Sequence, residues 1–307
     1  MRLVLMTEPH LEGTYDDLLF AAQAAERAGL YGFSRSDHFY WTGHPGVPTT
    51  DAFSTLAGLA RETKRVRLSV LVSPITFRHP AVIAKAAATI DQMSGGRFDL
   101  GVGTGWMEAE HTAFGLPFPP RRERFDRLEE SLQYLRAAFS GGSFHGRHYS
   151  FEADAQPRPS GINLLVGGSG SEKTPTLAGR LADEYNHFSI APAELAPKIE
   201  VMREAAVAAS RNPDDITISI MGPALLAPNA KRYAEILENV RFRKVSVKEL
   251  EAELDAEGAP HGTPDRAAEA FAAYAAIGVS KYYLQWVDLP NREGITEQVE
   301  LAAGLKL

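Results

Sequence analysis

The sequence has no cysteine, which excludes a disulfide framework, a thiolate nucleophile and a Cys-ligated zinc site. No apolar run is long enough to cross a bilayer. Met1-Arg2-Leu3-Val4-Leu5-Met6 lacks the long apolar region and small-residue cleavage site of a secretory signal, so a cytoplasmic protein is expected. Positive charge is not in excess: 32 Lys and Arg against 39 Asp and Glu give a net charge of −7, with both signs mixed along the chain. No basic stripe marks a nucleic-acid surface, and no polybasic run marks a membrane anchor. Neither a linker nor a low-complexity segment nor a short-period repeat divides the 307 residues.

What is present is alternation. Apolar residues make up 44% and charged residues 23%, which suits a globular protein with a large core. Strand-like runs fall at Leu3–Thr7, Tyr31–Ser36, Val66–Ser73, Arg97–Gly103, Ile162–Val166, Tyr185–Ile190, Ile216–Leu226 and Tyr282–Val287. Helical patterns lie between them. The first starts near Tyr15, puts Leu18, Leu19, Ala22, Ala25 and Ala28 on one face, and ends at Gly29. Others span Asp51–Glu62, begin at Pro80 and close at Gly95-Gly96, or run Arg121–Phe139, from Glu172, Pro192–Ser210, Asn229–Glu257, from Pro264 behind a capping Thr263, and from Thr296. A small hairpin fits 141–156. Parallel neighbours need crossover helices. The expectation is one (β/α)8 barrel over residues 1–307, with an open doubly wound sheet as the alternative.

In such barrels the working residues sit in loops after the C-terminal ends of the strands. After the second strand comes Ser36-Asp37-His38-Phe39-Tyr40-Trp41. His38 titrates near neutral pH and suits proton transfer, while Asp37 either sets its tautomer or fixes the loop. After the third comes Leu71-Val72-Ser73-Pro74-Ile75-Thr76-Phe77-Arg78-His79-Pro80, whose prolines favour extended backbone before them; it reads equally as a stiff connector or as part of the site. After the fourth, Gly101-Val102-Gly103-Thr104-Gly105-Trp106 has the wrong spacing for a dinucleotide fingerprint; it reads as close approach of backbone to a flat ligand. After the fifth, Gly167-Gly168-Ser169-Gly170-Ser171-Glu172-Lys173-Thr174 nearly spells a P-loop, but Glu172 stands at the second required glycine and would repel phosphates. A glycine-rich turn before a helix still offers N–H groups to an anion. Glu108-x-x-His111 and Glu184-x-x-His187 share the spacing of di-iron carboxylate pairs, which need facing helices and two further Glu residues; no metal site is expected. Tyr282, Tyr283, Gln285 and Trp286 either line the pocket or alternate into the core.

Ser36-Asp37-His38-Phe39, Thr76 to Pro80, Ser94 to Arg97, Gly101 to His111, Arg124 to Glu130 and Leu165 to Gly170, in that order and spacing, resemble the luciferase-like monooxygenase superfamily. Within it they are most similar to the actinobacterial coenzyme F420-dependent oxidoreductases. The resemblance implies a bacterial-luciferase-like barrel with an insertion around Phe144 to Tyr149, and a deazaflavin across the C-terminal mouth. It implies a bulge with a non-prolyl cis peptide at Leu71–Val72, so that Leu71, Val72 and Ser73 back the ring. His38 and Asp37 match residues near the reactive ring. Thr104, Gly105 and Trp106 match the ring-contacting loop, and Gly167, Gly168, Ser169 and Gly170 the phosphate-binding turn. It also implies a small-molecule substrate and a homodimer. Trp106 departs from the sugar-phosphate dehydrogenases of the group, which carry a Glu there, and points to an apolar or planar substrate. The main alternative is an FMN-dependent monooxygenase served by a separate reductase; a non-catalytic flavin-binding or storage protein is a third reading.

Overall fold

The computed structural model describes residues 1–41, 47, 49–152, 154, 156–240 and 244–307. The first half runs β1 (Arg2–Thr7), α1 (Tyr15–Ala28), β2 (Gly32–Arg35), α2 (Ala52–Glu62), β3 (Arg67–Pro74), α3 (Pro80–Ser94), β4 (Phe98–Gly103), α4 (Glu108–Ala113) and α5 (Arg121–Ser140). A hairpin of β5 (Phe144–His145) and β6 (Ser150–Phe151) follows. The second half runs β7 (Asn163–Gly167), α6 (Lys173–Leu181), β8 (Glu184–Phe188), α7 (Pro192–Ala208), β9 (Thr217–Pro223), β10 (Leu225–Leu226), α8 (Ala230–Glu238), α9 (Val247–Ala256), β11 (His261–Gly262), α10 (Pro264–Ala276), β12 (Val279–Trp286) and α11 (Arg292–Ala303).

Eight parallel strands close in the order β1-β12-β9-β8-β7-β4-β3-β2, so the barrel holds and the open sheet does not. Local chemistry sets the element ends. Thr14 and Asp17 form a capping box at the start of α1, and Gly29 ends it at φ 84°, a conformation open to glycine without steric cost.

Several boundaries differ from the sequence reading. The long run ending at Leu226 divides, because Pro223 has no N–H to continue the ladder; β10 pairs instead with β11. Asn229–Glu257 holds two helices rather than one. Thr263 makes no side-chain cap, although Pro264 still opens its helix. The last helix starts at Arg292, where the Asn291 side chain accepts from Gly294 N at 2.9 Å. The short α4 was not legible as a helix.

Two apolar layers result. Between strands and helices lies the main core, with Leu18, Leu56, Phe98, Leu132, Tyr185 and Phe271 among its members. Inside the barrel a smaller plug of Val4, Met6, Leu71, Leu165, Met221 and Tyr283 fills the middle. Beside it, charges are buried together: Lys281 Nζ bonds Glu184, Tyr283 OH donates to Glu184 Oε1 at 3.0 Å, and Arg67 Nε donates to Asp99 Oδ1 at 3.0 Å. Lys281 Nζ is also 3.8 Å from Asp99. Alternation along β12 decides which tyrosine goes where: Lys281, Tyr283 and Gln285 face inward, while Tyr282 packs outward against Phe271 and Tyr274. Among the described residues no helix is long and apolar enough to cross a membrane.

Candidate active site

The plug fills the barrel axis and leaves a cavity of about 710 Å³ at the C-terminal mouth. Its walls bring together Glu8, His10, His38, Leu71, Val72, the Thr104–Trp106 turn, the Gly167–Gly170 turn and Gln285. Mouths of this kind collect loops from many strands on a rigid frame.

The floor is set by β3. Its pairing with β4 shifts register between Val70 and Ser73, and the Leu71–Val72 peptide is cis. Val72 reaches toward the glycines of the neighbouring strands. A Cβ on Gly103 would lie 2.8 Å from Val72 Cγ2, one on Gly167 2.8 Å from Cγ1, and one on Gly101 3.0 Å from Cγ1. Those glycines make room for a valine. Gly103 also lines the cavity, beside Thr104 and Gly105. Gly105 is different: its φ of 74° suits glycine, and a Cβ there would press on Thr76 Oγ1 at 2.8 Å. Ser73 does not face the cavity; its hydroxyl donates to Asp37 at 2.7 Å.

Asp37 is fully buried and does not touch the His38 ring. Its carboxylate takes Arg78, which also binds Asp51 at the start of α2. Burial pushes the Asp37 carboxyl up, and Arg78 opposes this; the Arg78 guanidinium is itself held above its ordinary value against its own burial. The pair is an ion pair that fixes the loop, the second of the two roles expected for Asp37.

His38 is positioned by a residue the sequence did not single out. Its Nδ1 lies 3.0 Å from Glu110 Oε2. Glu110 is buried on α4 and also accepts the backbone N–H of Phe39 and, at 3.1 Å, of Tyr40. One carboxylate thus holds both ring and loop, which assigns Nδ1–H as donor and leaves Nε2 for the cavity. Burial lowers the His38 pKa, but the hydrogen bond and charge of Glu110, helped by Glu8 and Asp37, outweigh it and hold the imidazole above its ordinary value. His10, whose ring centre is 4.7 Å from that of His38, goes the other way: burial, then His38 and Arg35, push it down to about 3. Trp41 lies tilted against His10 with ring centres 5.3 Å apart, and Trp106, 63% exposed, meets His38 edge-on at 5.7 Å.

The opposite wall is cationic. The Gly167–Gly170 turn leads into α6, and Thr174 packs under it, 3.1 Å from where a Cβ on Gly170 would be. Arg124 Nη1 bonds the Gly105 carbonyl and its carbon lies 4.0 Å over Phe118, but its buried Nε has no partner. Burial and then Arg121 lower the Arg124 pKa. Lys173 stands 5.2 Å and Arg121 5.7 Å over Phe125. Arg121 and Arg124 line the cavity together with the glycine turn, while Lys173 lies beyond Glu172 at the start of α6. An Arg cannot be found this way from sequence, because Arg121, Arg122 and Arg124 look alike on a charged helix.

The remaining residues sort themselves. Gln285 lines the cavity. Tyr282, Tyr283 and Trp286 do not: their polar atoms go to Pro223 O at 3.1 Å, Glu184 at 3.0 Å and Asp288 O at 2.7 Å. His111 bonds Thr76 at 2.7 Å and Met107 O at 2.8 Å, and Glu184 lies in the barrel interior, so the two Glu-x-x-His pairs serve separate places. Among the described residues no three metal-binding side chains converge.

Fold and mouth together define a closed parallel barrel with a cavity at its C-terminal end, lined by a glycine turn, a carboxylate-held histidine and two arginines. Residues 2–281 match the family model described as luciferase-like monooxygenase, and the chain belongs to that family. It is similar to the F420-dependent glucose-6-phosphate dehydrogenase of Amycolatopsis mediterranei, 32% identical over 232 residues that cover 74% of this chain and 69% of the relative. The enzyme of the same name from Kineococcus radiotolerans is 34% identical, over 73% of this chain and 66% of the relative. The chain thus spans about two thirds of the length of these relatives. Among solved structures it is similar to an F420-dependent secondary alcohol dehydrogenase holding an F420-acetone adduct, with a TM-score of 0.81, 22% identity and 98% of each chain covered. Monooxygenase RslO1 from Streptomyces bottropensis gives a TM-score of 0.82 at 23% identity, over 99% of this chain and 98% of that one. At those identities the structures establish the fold.

Proposed function

We propose that this protein is a coenzyme F420-dependent oxidoreductase that moves a hydride between the deazaflavin and a small organic substrate. The observation that carries the reading is the cavity itself. An imidazole held by a buried carboxylate shares one cavity with a glycine turn, Arg121 and Arg124. The relatives named F420-dependent, at 32–34% identity, support the choice of cofactor.

When bound, the deazaflavin supplies the two-electron chemistry. This chain's residues do the rest. Val72 and Leu71 form an apolar floor for a flat ring. The turn and the unpartnered Arg124 Nε suit the phosphate, a charge-assisted contact that fixes register. Trp41 and Trp106 cover the open side and keep water from a planar substrate. His38 Nε2 gives a proton to a substrate oxygen being reduced, or takes one from a hydroxyl being oxidised. Glu110 stabilises the charged ring and fixes its tautomer. Asp37 acts at a distance, through Arg78, on loop geometry.

The test is fluorescence titration of the purified protein with coenzyme F420 and, separately, with FMN. Saturable binding of the deazaflavin well below the FMN dissociation constant supports the reading. The reverse order moves the assignment to an FMN-dependent monooxygenase.

A further inference from the structure

Glu8 lies one residue beyond β1, lines the cavity, and is only 7% exposed. Its two oxygens differ. Oε1 accepts from Gln285 Nε2 at 2.9 Å. Oε2 is shielded from solvent and has no hydrogen-bond partner. The nearest group able to carry charge is His10 Nδ1 at 3.5 Å, but that nitrogen already faces Ser36 Oγ at 3.3 Å. Burial, followed by His38 and Arg35, keeps His10 neutral, so it offers no countercharge. A buried carboxylate oxygen left without a donor is costly, and natural structures rarely keep one without a use.

Glu8 adds its charge to the field at His38, but no contact of its Oε2 has a use so far. His10 touches both it and His38: Nδ1 is 3.5 Å from Glu8, and its ring centre is 4.7 Å from that of His38. The cavity therefore presents two polar points about one imidazole apart, with Trp41 beside them. One is a proton-transfer nitrogen; the other is a carboxyl oxygen that no group of the described chain satisfies.

We infer that Glu8 Oε2 anchors a hydroxyl of the substrate other than the oxygen that His38 serves. The substrate class is then a diol or a hydroxy ketone with an apolar or planar body. A neutral donor fits better than an ammonium, because the His38 imidazole on the same wall leans toward its cationic form and Arg35 already lies in the field of Glu8. Sites built around such an acceptor discriminate strongly against analogues that lack the donor, since the acceptor is then buried unpaired. The inference rests on the oxidoreductase reading above.

The experiment is calorimetric titration of the full chain, saturated with oxidised coenzyme F420, using three probes: 1-phenyl-1,2-ethanediol, 1-phenylethanol and 2-methoxy-1-phenylethanol. The diol is expected to bind about 10- to 100-fold more tightly than either of the others, the range of one hydrogen bond to a charged group. In Glu8→Ala that ratio falls to near one while the deazaflavin dissociation constant stays unchanged. Equal affinities in the unaltered protein, no binding of any probe, or an unchanged ratio in the variant each overturn the assignment. If Glu8→Ala does not fold, the diol against its methyl ether in the unaltered protein decides alone. Failure to bind the deazaflavin at all strikes the cofactor reading; deazaflavin binding without a diol preference strikes only Glu8.

Discussion

Val72 fills the space that a side chain on Gly103 would need, its Cγ2 lying 2.8 Å from the place of the missing Cβ. Three glycines from two strands surround one valine, so the floor of the mouth is a fitted contact between backbones and a single side chain. Gly103→Ala is expected to destabilise the fold by about 1–3 kcal/mol, the usual cost of overpacking. Val72→Ala in the same chain should return most of that loss. Thermal melting of the two single variants and the double variant checks it. Additive losses would mean the two residues do not compete for space.

Replacing His38 by Ala should cut turnover by about 10²- to 10⁴-fold, the range of a positioned acid or base. Deazaflavin binding should be nearly unchanged. A variant that keeps full activity would remove His38 from the chemistry.

Glu110→Gln tests how His38 is held. The amide keeps the shape but loses the charge that supports the imidazolium. The His38 pKa should fall, and the corresponding limb of the pH–rate profile should move to lower pH. The same pair bears on stability. Because its folded pKa is raised, His38 contributes stability that is fully present below the unfolded value near about 6.5 and is lost as pH rises through the folded value. Melting temperature against pH, in the unaltered protein and in Glu110→Gln, should show that dependence and its disappearance.

His10 has the opposite sign. Its pKa is pushed down to about 3, so between that value and the unfolded value the unfolded chain binds the extra proton. Stability should fall as pH drops through this window, and His10→Asn should lessen the fall. Histidine NMR titration should find one ring that stays neutral at pH 5.

Arg124→Ala should weaken deazaflavin binding by about 10- to 100-fold, as expected for loss of a charged hydrogen bond. Riboflavin, which lacks the phosphate, should bind the variant and the unaltered protein alike. An equal loss for both ligands would place Arg124 in folding rather than in anion recognition.

The barrel was legible because eight β-runs alternate with helices, and because Gly29, Gly95 and Pro80 mark helix ends at the residues where the chain turns. The strand ends that carry loops were legible too, and with them His38, Trp106 and the Gly167–Gly170 turn. Partnerships were not. Asp37 precedes His38 in sequence, yet its side chain goes to Arg78, 41 residues away; the carboxylate that holds His38 is 72 residues on. Glu110 sits between Glu108 and His111 in a segment too short for helical periodicity to show, so nothing in its local pattern set it apart. Glu184 and Lys281 were unreadable for a similar reason. Each is a charge in a strand, and only closure of the barrel reveals that they meet.

Arg78 grips Asp37 at the end of β2 and Asp51 at the start of α2, so a residue from a third loop clamps both ends of the segment between them. His38, within that segment, has its own tether in Glu110. Phe39, the next residue, is tied twice, its N–H to Glu110 and its carbonyl to the Thr49 hydroxyl at 2.6 Å. The imidazole therefore rides on backbone gripped from several elements at once, and a change at Arg78 or Thr49 reaches it without touching it.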